Sequence, residues 1–574
     1  NTLDTTDIAN INNGSFRFVL ARQLADIGIR DGVFQRHTLR LVGGARGTFN
    51  DDWSYEVSVN YGQFKEDTTT AGYVDRQRFM LSLDAGRNPV TGQIQCRSQF
   101  DPASALAFTQ NLTPAQAAAQ QARLAADIAA CVPYNPFGGT DNNAAADYFS
   151  YSARHKATLR QFDFLGFVSG DSSDWFNLPG GPVRFALRTE YRPETADYIN
   201  DPFVESGATN AVVVGRFDPD AFEVAEAFGE VQLPILKDTP FFEELTASGA
   251  ARISDYDSAV GTVWTYNAGL DWSPIRDIRF RGNYSRALRA PNLSETGFPP
   301  VANFAPGFAD PCNSQNIGNN PNRNTNCQTD LGSLLAGLPT GTYSLPIISG
   351  SNTDLDAETS VSWTLGFVAQ PRFIPGLSLS VDYYKIKVKD VIVSLSAQTI
   401  VNSCYDQPDL NNMFCGLFTR YTGATPGPMG EVTGQVLGNS LLSGPINFAA
   451  RVRKGIDLNL AYRRNLGADV RIDTNLIYTH NLQTSNFENP ALPKFENRVL
   501  GELGDPKDEF QWHVDLTKGV ATFGYKMHYI GPMWTGAYED FNELDSACSL
   551  AGCPPFNSDF ADIRKYPATF YHDI

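Results

Sequence analysis

Eight cysteines are the residues whose spacing most directly suggests chemistry. They fall into four sequential pairs: Cys96 and Cys131, Cys312 and Cys327, Cys404 and Cys415, and Cys548 and Cys553. Many pairings are possible, but loop closure favours partners that are near in sequence. The spacing therefore predicts four local disulfides in an oxidising compartment, with reduced thiols as the alternative. Zinc binding is disfavoured, because only the last pair approaches ligand spacing and no histidine cluster accompanies it.

Residue types that could catalyse a reaction are scattered. The six histidines, which show neither HxxxH nor HExxH spacing, are His37, His155, His480, His513, His528 and His572. No GxSxG motif is present. The glycine-rich segment 43–47 is interpreted as close packing in a strand and not as a phosphate cradle. The sequence therefore predicts no enzymatic activity, no cofactor and no resident metal.

Arginines and aromatic residues are better candidates for binding a ligand. Arg286 and Arg289 leave a central strand and could attract an anion, or they could pair with carboxylates of the surrounding protein. Aromatic rings in long connections could stack on sugars or on hydrophobic ligand groups, or they could pack the connections together. These aromatic residues are Phe304, Phe308, Tyr343, Tyr405, Phe414, Phe418, Tyr421, Trp534, Tyr538 and Phe541.

Long β-strands are the elements that would position these residues, and residues 244–291 show them best. Trp264, Tyr266, Ala268, Leu270 and Trp272 alternate there with Thr265, Asn267, Gly269 and Asp271. Period-two alternation places one set on each face of a sheet. A water-soluble sheet needs a second layer over its apolar face, whereas lipid covers that face in a membrane barrel. Trp53, Trp264, Trp272 and Trp363 would then lie in aromatic girdles at the bilayer interfaces.

Similar alternation predicts strands along the whole chain. The predicted strands are 14–24, 36–48, 53–64, 74–85, 152–167, 182–192, 222–233, 245–254, 264–272, 278–285, 359–370, 377–390, 447–464, 469–479, 508–518, 521–531 and the start of another at 567. Many exceed the usual globular length and suit a tilted membrane strand of about ten residues. An alanine-rich segment, 114–131, predicts a helix.

Connections between the strands alternate between short and long from residue 152 onward, with the brief connection 255–261 as the single exception. The long connections are approximately 86–151, 193–221, 288–358, 391–446, 480–507 and 532–566. Structureless connections of such length are uncommon in compact domains. An up-and-down barrel with tight periplasmic turns and long extracellular loops produces this rhythm.

Composition sets further limits. The chain has 574 residues, 42% of them hydrophobic, with a mean hydropathy of −0.27. It lacks the run of about 18 apolar residues that a membrane-spanning helix needs. A net charge of −18 argues against nucleic acid as a partner. Because the first residue is asparagine and the last residues read as an interrupted strand, we expect an internal piece of a longer polypeptide.

Four stretches, taken together, resemble the barrel of TonB-dependent outer-membrane receptors. They are 226–236 (EAFGEVQLPIL), 284–295 (YSRALRAPNLSE), 352–359 (NTDLDAET, departing from the family pattern at Thr353 and Asp356) and 375–384 (PGLSLSVDYY). The resemblance covers about residues 220–470 well. It implies an all-β antiparallel transmembrane barrel of about 22 strands in the intact protein, of which roughly 16–17 would lie here in a partial barrel domain spanning residues 1–574. The plug domain, the TonB box and the closing strands of the family are not recognised in this sequence.

The resemblance also implies a function. Such receptors lie in the outer membrane of Gram-negative bacteria, contact its lipid, bind a scarce nutrient and import it with energy relayed by TonB from an inner-membrane complex. We lean toward an oligosaccharide or another bulky organic substrate, because the loops are large and aromatic and lack His/Met clusters. A siderophore or other metal chelate is the alternative within the family. A passive porin-like or adhesin-like barrel and a soluble multi-sheet scaffold or enzyme are the rival classes.

Overall fold

A computed structural model describes residues 5–12, 29–50, 52–105, 114–137, 141–467, 469–489, 494–536 and 565–574. The strands within these ranges are β1 (Gly32–Phe49), β2 (Trp53–Val74), β3 (Ala85–Arg87), β4 (Ile94–Cys96), β5 (Ser150–Asp171), β6 (Asn177–Leu178), β7 (Gly181–Pro182), β8 (Arg184–Ile199), β9 (Phe222–Thr239), β10 (Phe242–Tyr256), β11 (Thr262–Ile275), β12 (Ile278–Arg289), β13 (Val301–Ala309), β14 (Thr342–Ser349), β15 (Glu358–Ala369), β16 (Leu377–Ser394), β17 (Leu442–Ser443), β18 (Pro445–Asn465), β19 (Val470–Phe487), β20 (Asn497–Arg498), β21 (Asp508–Lys518), β22 (Ala521–Ile530), β23 (Met533–Trp534), β24 (Lys565–Tyr566) and β25 (Thr569–Asp573).

Helices are few and short. The α-helices are α1 (Thr5–Asn12), α2 (Arg76–Leu83), α3 (Pro114–Ala129), α4 (Asn143–Phe149), α5 (Pro202–Glu205), α6 (Leu293–Gly297), α7 (Arg323–Leu331) and α8 (Ala397–Asp406). Short 3₁₀ helices occupy Arg97–Gln99, Pro102–Ser104, Ile317–Asn319, Gly332–Gly337 and Cys415–Leu417. None of the helices in the described ranges combines the length and the hydrophobicity needed to cross a membrane.

Most strands join one 16-stranded sheet. Its order is β1-β2-β5-β8-β9-β10-β11-β12-β15-β16-β18-β19-β21-β22-β25, and β20 pairs with β19. Strands that are neighbours in the sheet therefore follow one another along the chain, apart from short strands within the connections. Each ladder of this sheet whose register is described is antiparallel, for example Leu377↔Tyr462 through Ser394↔Pro445 between β16 and β18. The predicted all-β fold with a large antiparallel sheet is confirmed.

Exposure alternates along β11 in the sense opposite to that of a water-soluble sheet. In β11 the apolar side chains are the exposed ones: Trp264 and Leu270 are 53% and 49% accessible, whereas Asn267 and Asp271 are half-buried. Trp363 on β15 is likewise 48% accessible. No second layer of protein covers this apolar face in the part of the chain that the structure describes. This pattern favours the lipid-facing alternative for these strands.

One predicted strand is wrong. Residues 74–85 do not extend β2; after Val74 the chain turns into helix α2. The helix begins there because the Asp75 carboxylate accepts hydrogen bonds from the backbone amides of Gln77 (3.1 Å) and Arg78 (3.3 Å), as an N-cap residue does. The predicted helix at 114–131 is confirmed as α3. The predicted strand at 14–24 lies outside the described residues.

The chain divides into two compact units. The first comprises residues 1–37, 65–157 and 198–216, and the second comprises 38–64, 158–197 and 217–574. In the first unit, α2, α3 and α4 enclose a small apolar core around Phe149, and a disulfide joins Cys96 to Cys131. Asp127, almost fully buried, accepts hydrogen bonds from Gln77 and Arg78 at 2.7 and 2.8 Å. The unit is therefore fixed by both burial and polar contacts.

If a bilayer covers the apolar face, a charged side chain placed on that face should destabilise the folded protein. Leu270→Arg, near the middle of β11, should destabilise the membrane-folded protein by about 2–4 kcal/mol, because lipid cannot solvate the guanidinium. The same exposed position in a water-soluble protein would tolerate arginine to within about 0.5 kcal/mol. Denaturant titration of the full-length protein in lipid vesicles measures the difference. Asn267→Arg, on the opposite face of the same strand, is the matched control and should change stability much less.

Candidate functional site

The second unit contains a compact group of connecting residues, here called the loop cluster and defined as residues 301–349 and 395–446. Hairpin β13–β14 forms its sheet, and β17 adds to β14 in parallel. One face of α8 enters its core, where Ile400, Val401, Cys404 and Tyr405 are at most 2% accessible. Their spacing is that of an amphipathic helix stripe. The cluster therefore has a hydrophobic core of its own.

Disulfides brace the loop cluster. Cys312 is bonded to Cys327 and Cys404 to Cys415, which close loops with sequence separations of 15 and 11. Three of the four pairs predicted from the sequence, including the pair in the first unit, are thus bonded in the structure. Cys548 and Cys553 lie outside the described residues. Each cross-link restricts the unfolded chain and so favours the folded cluster.

A buried ion pair connects separate segments of the loop cluster. Arg420 and Asp310, whose side chains are 6% and 0% accessible, pair through two hydrogen bonds of 2.8 and 3.1 Å. Arg420 also donates to the Tyr405 hydroxyl (2.6 Å) and to the Gly434 carbonyl (2.7 Å). Burial by itself would lower the pKa of Arg420, but the charge and hydrogen bonds of Asp310 outweigh it, so this pKa lies above its usual value. Arg420 therefore stays charged and holds β13, α8 and the 420–434 segment together.

A cavity of about 430 Å³ opens at the edge of the loop cluster. Its lining residues are Ala309, Asn316, Asn319, Asn320, Arg323, Gln398, Asn402 and Asp406. They come from the end of β13, the 3₁₀ turn Ile317–Asn319, the start of α7 and the exposed face of α8. The volume lies within the usual range for small-molecule sites. Every lining residue except Ala309 has a polar side chain, and the aliphatic carbons of these side chains form much of the wall.

Hydrogen bonds within the protein hold much of this lining in place. The Gln398 side chain accepts from the Ala309 amide and donates to the Ala309 carbonyl, both at 2.8 Å. It also donates to the Asn402 side chain at 2.8 Å, one helical turn further along α8. The Arg323 guanidinium donates hydrogen bonds to the Asp406 carboxylate through two nitrogens, one of them at 2.9 Å. The site is therefore largely preformed.

Most of the predicted aromatic residues of the loop cluster are in its core. Phe308, Tyr405, Phe414 and Phe418 are at most 7% accessible, so their rings contact other parts of the cluster. This is the packing alternative considered in the sequence analysis. In the present conformation a ligand would reach these rings only if the cluster opened.

The other predicted aromatics are distributed differently. Phe304 is exposed on β13, whereas Tyr343 on β14 packs edge-on against Phe308 with ring centres 5.4 Å apart. The Tyr421 hydroxyl donates to the Thr425 carbonyl at 2.7 Å, and Lys565 lies over the Trp534 ring. Tyr538 and Phe541 lie outside the described residues.

Neither of the two arginines predicted as ligand contacts, Arg286 and Arg289, lines the cavity. Arg289, at the end of β12, pairs with Glu358 at 2.7 Å and with Glu295 at 2.9 and 3.1 Å. That arrangement is the carboxylate-pairing alternative. Arg286 is exposed on the same strand, in register with Tyr266 and Val361. A ligand-binding role for either arginine stays a prediction.

Sequence reasoning missed the cavity residues. A signal was present in residues 313–326, NSQNIGNNPNRNTN, where seven of the fourteen residues are asparagine. Side-chain amides both donate and accept hydrogen bonds, so a run of them in a folded loop indicates either turn capping or polar recognition. Here Asn313 caps the turn at 315–316, and Asn316, Asn319 and Asn320 line the cavity.

With this geometry established, comparison with known proteins gives the family. Residues 3–546 match the family model described as "TonB dependent receptor-like, beta-barrel". The chain belongs to this family. Its members are transport receptors of the Gram-negative outer membrane, and an outer-membrane location follows for this TonB-dependent receptor barrel. The resemblance stated from sequence motifs is confirmed. A comparison with curated protein sequences gave no match.

Solved structures of siderophore receptors and of a peptide importer are similar to this chain at low identity. The siderophore receptor PirA of Acinetobacter baumannii is 13% identical with a TM-score of 0.47, over 94% of this chain and 55% of that one. A variant of the ferric enterobactin receptor PfeA of Pseudomonas aeruginosa is 14% identical with a TM-score of 0.48, over 94% and 53%. The RagAB peptide importer is 10% identical with a TM-score of 0.43, over 88% and 48%. The chain thus spans about half the length of these structures.

Removing one member of the buried Arg420–Asp310 pair should cost more stability than removing both charges. Arg420→Ala should destabilise the loop cluster by about 3–5 kcal/mol, because it leaves the Asp310 carboxylate buried without a counter-charge. The double variant Arg420→Met/Asp310→Asn removes both charges and should recover a substantial part of the loss. Hydrogen exchange of the β13 and β14 amides reports the opening of the cluster. Equal protection in the wild type and Arg420→Ala would contradict the proposed role of the pair.

The lowered pKa of Glu431 predicts that the stability of the loop cluster depends on pH. Burial would raise the pKa of the Glu431 carboxyl group, but hydrogen bonds from the amides of Met429 (2.9 Å) and Gly438 (2.8 Å) outweigh that effect and hold the pKa below its ordinary value of 4.5. A lowered folded-state pKa stabilises the fold above the unfolded pKa, and the contribution is lost as the pH falls through the folded value. The Met429 and Gly438 amides should therefore become less protected from hydrogen exchange once the pH drops below about 4.5. The protection is corrected for intrinsic exchange rates. Glu431→Gln should abolish this dependence, and a variant that keeps it would assign the titration to another group.

Proposed function

We propose that this chain is the ligand-binding and conducting barrel of a TonB-dependent nutrient receptor. A scarce nutrient binds at the long loops on the extracellular side, and energy relayed by TonB through the plug domain of the intact receptor moves it through the barrel. The observation that carries the proposal is the family match over residues 3–546. The exposed apolar face of β11 and its neighbours supports it, because such a face needs lipid around it.

The loop cluster is the proposed site of nutrient capture. It offers a braced surface with a preformed polar cavity, held by two disulfides and the buried Arg420–Asp310 pair. Preorganisation lowers the entropic cost of binding and so favours high affinity. A receptor for a scarce nutrient requires high affinity.

We propose an oligosaccharide or a similarly bulky polar organic molecule as the nutrient. Among the described residues, the charged side chains that line the cavity are Arg323 and Asp406, and they neutralise each other. A multiply anionic iron chelate would meet no uncompensated cation there, which gives it little electrostatic attraction. Uptake of a ferric siderophore in place of sugars is therefore the outcome that would revise the substrate class.

Uptake measurements test the proposal. The full-length gene is deleted and restored in its own host, with TonB present or absent, and uptake of radiolabelled neutral oligosaccharides and of iron-labelled ferric siderophores is measured. We expect uptake of the nutrient to require both the gene and TonB. Gene-dependent uptake that persists without TonB would instead identify a passive porin-like barrel. The wild-type strain carrying an unrelated gene deletion is the control for general envelope damage.

A further inference from the structure

We propose that the amide-lined cavity of the loop cluster is a subsite for a neutral sugar unit. The inference rests on the proposed function of the cluster as the ligand-capturing surface, and it names the atoms and the substrate class that such capture would use. Five side-chain amides converge on the cavity, from Asn316, Asn319, Asn320, Gln398 and Asn402. Each amide carries a carbonyl acceptor and two N–H donors. A sugar hydroxyl also donates and accepts, so the two sets of groups are complementary.

Two of the amides have side-chain groups available to a ligand. Asn319 is exposed at the rim, and within the described ranges its side chain makes no hydrogen bond to another residue. Asn402 accepts from Gln398 through its carbonyl oxygen, and no partner for its NH₂ group is found among the described residues. These two residues are therefore the proposed direct contacts. Gln398 and Asn316 are positioning residues, since their side chains bond to the backbone of Ala309 and Asp310.

The charges of the cavity favour an uncharged ligand. Arg323 is 7% accessible and is bound to Asp406 through two nitrogens, and it also donates to the Asn316 carbonyl at 3.1 Å. If Arg323 or Asp406 left its partner to bind an ionic ligand, the remaining charge would be unpaired and partly desolvated. A neutral polyhydroxylated ligand requires no such exchange.

The cavity lining disfavours aromatic chelators. Within the described residues no aromatic ring lines it, so a catechol ring would find no ring to stack on. The aliphatic carbons of the polar side chains and the methyl group of Ala309 form much of the wall between the amides. A sugar ring presents both C–H faces and hydroxyl groups, so it can contact these carbons and hydrogen-bond to the amides.

The helices that carry the cavity residues are each anchored by a disulfide. In α7, Arg323 lies four residues before Cys327, which is bonded to Cys312. In α8, Asn402 and Asp406 flank Cys404, which is bonded to Cys415. The Asn322 side chain adds a bond of 2.9 Å from the start of α7 to the Asp406 carbonyl of α8. The opposing walls are thus held at a fixed separation, as a selective polar site requires.

Calorimetric titration of the full-length receptor in detergent tests the inference. The probes are neutral oligosaccharides (glucans, xylans and mannans), short uncharged peptides and ferric enterobactin. We expect one of the oligosaccharides to bind. Asn319→Ala and Asn402→Ala should each weaken its affinity about threefold to tenfold, the loss expected for one neutral hydrogen bond. Asn411→Ala, an exposed asparagine of the same cluster that does not line the cavity, should leave the affinity unchanged.

Each other outcome would overturn the inference in a distinguishable way. Sugar binding that is unaffected by Asn319→Ala and Asn402→Ala would place the subsite elsewhere and leave the proposed function intact. Peptide or ferric enterobactin binding that these variants weaken would keep the cavity as a site and reject the sugar class. A folded receptor that binds none of the oligosaccharides also rejects it, and TonB-independent uptake would reject the proposed function itself. Hydrogen exchange of the variants confirms that the cluster is folded.

Discussion

Continuous antiparallel pairing is the constraint on which the rest of the structure depends. A strand with one face toward lipid has no water to satisfy its backbone groups, so neighbouring strands must supply the hydrogen bonds. The ladders meet this requirement over long stretches: β18 pairs with β19 from Ala450↔Phe487 to Asn465↔Arg471, with a single irregularity at Lys454/Gly455. Pairing of this kind uses only the backbone. Side chains on the strands are then constrained by which face they occupy, whereas side chains in the connections are free of that constraint.

The loop cluster meets a different requirement, since its residues before Pro445 lie outside the ladders of the large sheet. It is stabilised by means typical of small extracellular domains: a compact apolar core, two disulfides and a buried ion pair. Tyr405 links these elements, because its ring is in the core while its hydroxyl donates to Asp330 and accepts from Arg420. An aromatic residue suggested by the sequence as a ligand contact is thus a central structural residue.

The strands could be predicted from the sequence because period-two alternation is visible within a single segment and needs no knowledge of the partner strand. The segment 74–85 failed because an N-cap at Asp75, a local hydrogen-bonding effect, overrides the alternating pattern. Hairpin β13–β14 and helices α7 and α8 escaped prediction because they are short and owe their stability to burial against one another. Three of the cysteine pairs could be anticipated from spacing, whereas the cavity could not. Its lining brings Ala309, Asn316 and Asn402 together across nearly one hundred residues.

The separation of the loop cluster from the strands has an evolutionary consequence. The residues that face the cavity, such as Asn319 and Asn402, are neither core residues nor partners in any sheet ladder. Under the proposed function, substitutions at these positions would change the recognised cargo without weakening membrane insertion. Selection on specificity would then act independently of selection on the strands.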